Sequence, residues 1–180
     1  MVITPIVNDG RINRSKTTLN KIVAATISLL RKNNNGQIPT AQEIAVKSGV
    51  GIRTVFRHID DMEGLIEEVN RRYLNDLESY IAKNNPKQNS KDQRIEHVIK
   101  ERFYLYNTYQ HVFNLTITSL NNSSAIRTGF IKFNHILRQR FEDLIPEIKM
   151  INKDKQNLID TLISYAAWFR MTKFNLSLIH

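Results

Sequence analysis

Residues 40–69, TAQEIAVKSGVGIRTVFRHIDDMEGLIEEV, decide how this chain folds. Thr40 followed three residues later by Glu43 is a capping box, in which the hydroxyl accepts an unpaired helix amide and the carboxylate reaches back to the cap. With Pro39 stopping extension upstream, a helix opens here and runs to about Ser48. Gly49 stands where a helix end wants a left-handed residue, and Val50-Gly51 leads at once into a second short helix, Ile52 to about His58. Ile44, Ala45, Val50 and Val55 recur at spacings that pack the two helices together, with Ala45 small at the crossing. The other side of the second helix presents Ile52, Arg53, Thr54 and Arg57. Two short helices about a glycine-bearing turn are the layout of a helix-turn-helix DNA reader. The residue types suit base reading, since Arg can bond bidentately to guanine O6 and N7, and Thr or Ile can touch a thymine methyl. The amides beside Thr40, at the start of the first helix, suit a phosphate.

This segment resembles the reading head of the TetR family of bacterial transcriptional regulators. There the first reading helix, a Gly-Val turn, a recognition helix ending in an aromatic, a variable residue and His, and the start of the next helix follow without gaps. The likeness extends back through the preceding helix. It implies a helical C-terminal domain that dimerises and binds a ligand, and repression relieved by a small molecule. By that resemblance Thr40 and Gln42 fall where the family contacts backbone or base, Ile52, Arg53 and Thr54 at base-reading positions, and Phe56, Arg57 and His58 at the end of the reading helix. Two positions depart: Phe56 stands where the family commonly has Tyr, and Met62 where it often has Lys. Both lost groups are phosphate contacts.

Outward from the reading head, apolar residues recur at helical spacing nearly everywhere and no period-two strand pattern appears, so the expected class is all-α. Upstream, residues 17–33 place Leu19, Ile22, Val23, Thr26, Leu29 and Leu30 on one face and end in the turn formers Asn33-Asn34-Asn35-Gly36. Downstream, Asp60 or Asp61 caps a long helix with the stripe Leu65, Ile66, Val69, Tyr73, Leu77 and Ile81. The polar stretch 83–91, KNNPKQNSK, marks the boundary. The spacing thus divides the chain into a helix-turn-helix domain over 11–60, a connecting helix over 61–84 and a helical domain over 90–180, and the resemblance implies that the first binds DNA and the last binds a ligand and dimerises. In the last, Ser90 and Gln93 form a second capping box before the stripe Ile95, Val98, Ile99, Phe103 and Tyr106. Tyr109 to Leu120 continues as a separate or kinked segment, 126–144 is a long helix closed by Pro146, and Asn152 caps a last helix over 153–171.

The charge is distributed as that reading requires. The chain of 180 residues has a formal net charge of +9, and between Arg11 and His58 nine Lys or Arg face a single acid, Glu43. A polyanionic partner, double-stranded operator DNA, is the expectation. Arg11, Arg14 and Lys16 form either an arm along the DNA or a free tail. No apolar run approaches the ~20 residues of a membrane span, and the N-terminus lacks a secretory pattern, so no membrane partner and a cytoplasmic location are expected. The absence of cysteine excludes disulfides, thiolate metal sites and a cysteine nucleophile.

Other residues admit functional and bland readings. Glu96, His97 and Glu101 share one helix and form either a metal-binding group or a solvated face; no metal or cofactor is expected. His58 is a backbone donor or a packing residue, and with no phosphate-binding glycine loop, paired catalytic carboxylates or HExxH the chain is expected not to be an enzyme. Core packing explains most of the aromatic residues. By the family resemblance, Phe103, Tyr106, Phe113, Phe130 and Phe133 line a pocket for a small apolar or aromatic ligand. A homodimer is expected because one reading helix spans few base pairs. The resemblance places its contact on the last helices, here Leu158, Leu162, Tyr165, Ala166 and Phe169, with the final helix of the family missing after Phe174. Two alternatives stay open: a sequence-neutral architectural DNA protein, and a helical small-molecule-binding protein without operator specificity.

Overall fold

A computed structural model of the chain describes residues 10–59, 62–86 and 90–173. Among the described residues the regular structure is entirely helical. Helix α1 (Gly10–Asn33) begins earlier than the apolar spacing predicts. Residues 10–16 carry no apolar stripe, yet they continue the helix, and the Thr17 and Thr18 hydroxyls donate back to the Asn13 and Arg14 carbonyls at 2.9 Å. Arg14 and Lys16 therefore lie on a helical extension of α1.

Then follow α2 (Ala41–Ser48), α3 (Ile52–His58), the long α4 (Met62–Lys83), α5 (Lys91–Thr108), α6 (Gln110–Ser119), α7 (Ser124–Leu144), a 3₁₀ turn (Pro146–Met150), α8 (Lys153–Leu162) and α9 (Tyr165–Lys173). The expected Asp60 or Asp61 cap lies outside the described residues. Both expected capping boxes form, at Thr40 and Ser90, and the Asn152 side chain accepts from the Lys155 amide at 2.9 Å. Each removes an unpaired amide where its helix must begin.

One apolar core runs without a break from Ile22, Ile44 and Val55, through Leu65, Val69 and Tyr73, to Phe113, Leu137 and Trp168. Helices α4 and α7 share the most extensive contact. Gly129 permits it: a Cβ there would come within 2.5 Å of the Asn70 side chain, whose amide donates to the Ala125 carbonyl at 2.8 Å. At its N-terminal end α4 is tied to α7 again, the Glu63 carboxylate accepting from the Ser124 hydroxyl at 2.8 Å and the Ala125 amide at 2.9 Å.

Two expectations need correction. The stripe assigned to α5 is turned: Ile95, Ile99 and Phe103 are exposed, and the buried side is Val98, Glu101, Arg102, Leu105 and Tyr106. Paired charges permit this. Arg140 meets Glu101 at 3.2 Å and also holds the Asn84 carbonyl and Asn85 side chain, fastening the connector after α4. Arg102 donates to the Leu137 carbonyl at 2.8 Å. Buried charges with such partners are tolerated where isolated ones are not. The second correction is that 153–171 is not one helix, because the chain breaks at Ile163-Ser164 between α8 and α9. There the Tyr106 hydroxyl donates to the Ile163 carbonyl at 2.8 Å. No helix among the described residues is long and apolar enough to cross a membrane.

Candidate nucleic-acid interface

Helices α1, α2 and α3 pack in sequence, and the turn between α2 and α3 is fastened at three points. Gly49 takes the left-handed conformation at φ 67°, where a Cβ would meet nothing within 4 Å, so backbone conformation alone favours glycine there. The Ser48 hydroxyl accepts from the Val50 amide at 3.2 Å. The Gly51 carbonyl accepts from Thr54 at 2.7 Å and Val55 at 3.0 Å, which starts α3.

The direction α3 faces follows from Val55, which is fully buried in the core, with α3 packed on α2. At about 100° per residue, Ile52 lies about 60° from Val55, and Phe56, Arg53 and Arg57 follow at about 100°, 160° and 200°. Exposure tracks that order: Ile52 is 37% exposed and Phe56 62%, Arg53 and Arg57 are exposed, and Thr54 and His58 at the other edge are half-buried. The outward arc thus combines an apolar ridge, Ile52 and Phe56, with a cationic ridge, Arg53 and Arg57.

The start of α2 offers less to a phosphate than the sequence suggested. The Thr40 hydroxyl accepts from the Glu43 amide at 3.3 Å and donates to Glu43 Oε2 at 2.8 Å, and the Thr40 amide donates to the same oxygen at 2.7 Å. These bonds hold the Glu43 carboxyl below its usual pKa. Its negative charge is fixed at the same helix end as the Ala41 and Gln42 amides, which helix geometry leaves without an intrahelical acceptor. Gln42 itself is exposed.

Behind this head, α6 makes contacts that no local pattern in the sequence announces. Asn114 donates to the Asn34 carbonyl at 3.1 Å and side-chain oxygen at 2.9 Å, and Thr118 donates to the Gly36 carbonyl. Asn34 (φ 43°) and Gly36 (φ 72°) are both left-handed, so the loop between α1 and α2 is held by α6 at its most constrained point. One turn earlier on α6, His111 Nε2 and the Tyr73 hydroxyl share a buried hydrogen bond of 2.8 Å. Burial, with a smaller effect from the Arg31 charge, pushes the His111 pKa down to about 4. Burial pushes the Tyr73 hydroxyl up.

Of the expected pocket residues, Tyr106, Phe113 and Phe133 pack on one another, Phe113 meeting Tyr106 and Phe133 edge-on at 5.5 and 5.3 Å. Tyr165 of α9 stacks on Phe113 with ring centroids 3.9 Å apart. Phe130 is half-buried on the wall of an open groove of about 690 Å³ that Phe113, Ile117, Tyr165, Ala166 and Phe169 also line. Phe103 is 37% exposed and lies away from this cluster.

The expected contact residues divide likewise. Leu158 and Leu162 are each 60% exposed on α8, while Tyr165 is 8% exposed within the chain's own aromatic core. Ala166 is exposed and Phe169 half-buried. Glu101 serves Arg140, Glu96 pairs with Lys100 at 2.7 Å, and His97 stands 3.6 Å from Glu101. Among the described residues no group of three or more His, Asp or Glu is placed to hold a metal. Comparison with known proteins finds no matching family model and no matching curated protein.

Proposed function

We propose that this chain is a DNA-binding transcriptional regulator without catalytic activity, a cytoplasmic repressor that a small-molecule ligand releases from its operator. The observation that carries the reading is the outward arc of α3. Ile52, Arg53, Phe56 and Arg57 project from a helix whose opposite side is anchored by Val55. Arg can read guanine in the major groove, and apolar side chains can meet thymine. The basic run from Arg11 to His58 and the resemblance of residues 40–69 to the TetR reading head support it.

A helix of seven residues covers few base pairs, so operator specificity calls for two reading heads related by a two-fold axis. Leu158 and Leu162, apolar and exposed on α8, suit that dimer contact. The groove walled by Phe113, Phe130 and Phe169 suits an apolar or aromatic ligand. Helix α6 gives the two functions a shared element, since Phe113 and Ile117 face the groove while Asn114 and Thr118 hold the loop before α2. A ligand that binds better when α6 is displaced lowers operator affinity by that differential binding.

The test is selection of bound duplexes from a random pool by the full chain. Recovery of one two-fold symmetric motif is expected. Retention of duplexes without any common motif refutes operator specificity and favours the sequence-neutral alternative.

A further inference from the structure

Phe56, the one Phe, Tyr or Trp in residues 40–59, is 62% exposed, and Ile52 lies one turn before it at 37%. Single exposed apolar residues are ordinary. These two form a ridge, about 40° apart around α3, beside the parallel ridge of Arg53 and Arg57. The cationic ridge complements a polyanion. The apolar one has nothing to offer phosphate or sugar oxygens, because the Phe56 ring has no hydroxyl to donate. In the major groove the apolar group on a base edge is the C5 methyl of thymine.

We infer that Ile52 and Phe56 read thymine methyl groups, so that the half-site recognised by this chain carries one or two thymines beside the guanine contacted from the Arg53–Arg57 ridge. The inference rests on the proposed DNA-reading role of α3 and specifies its substrate. The dimensions agree: four residues advance about 6 Å along a helix, against about 3.4 Å per base step, so the two side chains reach methyls one or two steps apart. Phe56, the more exposed of the two, makes the larger contribution.

The experiment uses the duplex selected by the full-length chain, with each thymine replaced in turn by deoxyuridine, which lacks only the methyl. Wild-type affinity is expected to fall about fourfold at one or two positions, the equilibrium equivalent of exposing one methyl group. Phe56→Ala is expected to bind the parent duplex more weakly and to lose that discrimination, while Phe56→Leu keeps it. The uridine series on wild type is decisive without any variant. A flat profile overturns the inference and leaves DNA reading standing, and so does discrimination that survives in both Phe56→Ala and Ile52→Ala. A flat profile with Phe56→Ala altering self-association reassigns the ring to a protein contact. If no duplex is bound above background, the inference and the reading beneath it both fail.

Discussion

Substituting Gly36 by Ala isolates the contact through which α6 supports the loop before α2. Gly36 has φ 72°, and a Cβ there would stand 2.7 Å from the Asn114 carbonyl oxygen and 2.9 Å from Thr118 Cγ2. The left-handed conformation costs an L-residue about 1–2 kcal/mol. The overpacking adds about 1–3 kcal/mol, because a backbone oxygen inside a helix cannot swing aside. Reduced freedom of the unfolded chain returns about 0.4–1 kcal/mol. The net expectation is a destabilisation of about 1–4.6 kcal/mol, or a fall of about 0.5–2.3 M in the urea midpoint for an m-value near 2 kcal/mol/M. Gly49→Ala is the control, since Gly49 has φ 67° but open space around its Cβ; it should cost only the conformational part, about 1 kcal/mol. Urea unfolding followed by far-UV circular dichroism compares the two. Equal midpoint shifts for Gly36→Ala and Gly49→Ala would refute the reasoning, because the α6 contact would then contribute nothing.

Arg53→Ala should remove discrimination at one or two base pairs of the half-site at a cost of about 1–3 kcal/mol, checked by titration against every single-base variant of the selected duplex. His111 stays neutral in the folded chain down to about pH 4, whereas the unfolded chain takes up a proton below about pH 6.5. Its contribution is therefore lost as pH falls through that window, by up to about 3 kcal/mol. Urea midpoints of His111→Gln against wild type from pH 7 to 4 should show the variant with the flatter profile, and parallel profiles would refute this. Leu162→Glu should shift sedimentation toward the monomer at concentrations where wild type is dimeric; undiminished association of the variant would move the interface off α8.

The parts of this fold that the sequence made legible are those set by chemistry within a few residues. The capping boxes at Thr40 and Ser90, the left-handed Gly49 and the closure of α7 before Pro146 depend on neighbours in the chain. Long-range polar contacts were invisible. The break between α8 and α9 involves a hydroxyl from Tyr106, and the stripe of α5 is turned because Arg102 and Glu101 find buried partners on α7. A hydrophobic period cannot anticipate a satisfied buried charge. At the candidate site, the outward placement of Ile52, Arg53 and Arg57 followed from Val55 being the position that packs, whereas Thr54, expected on the same side, is half-buried and Phe56 stands on the outward arc instead. The roles of Asn114, Thr118 and Glu63 had no local signal, since each acts on a loop or helix end 61 or more residues away in sequence. The early start of α1 was missed because residues 10–16 form helix without an apolar face.

Sequence-specific duplex recognition is the central claim, and equilibrium titration of the full chain at physiological salt tests it most directly. The selected duplex is compared with a scrambled duplex of the same composition. A preference of about 10³ or more for the selected sequence is expected of a specific regulator. Equal affinity for the two duplexes, falling alike as salt rises, would contradict it.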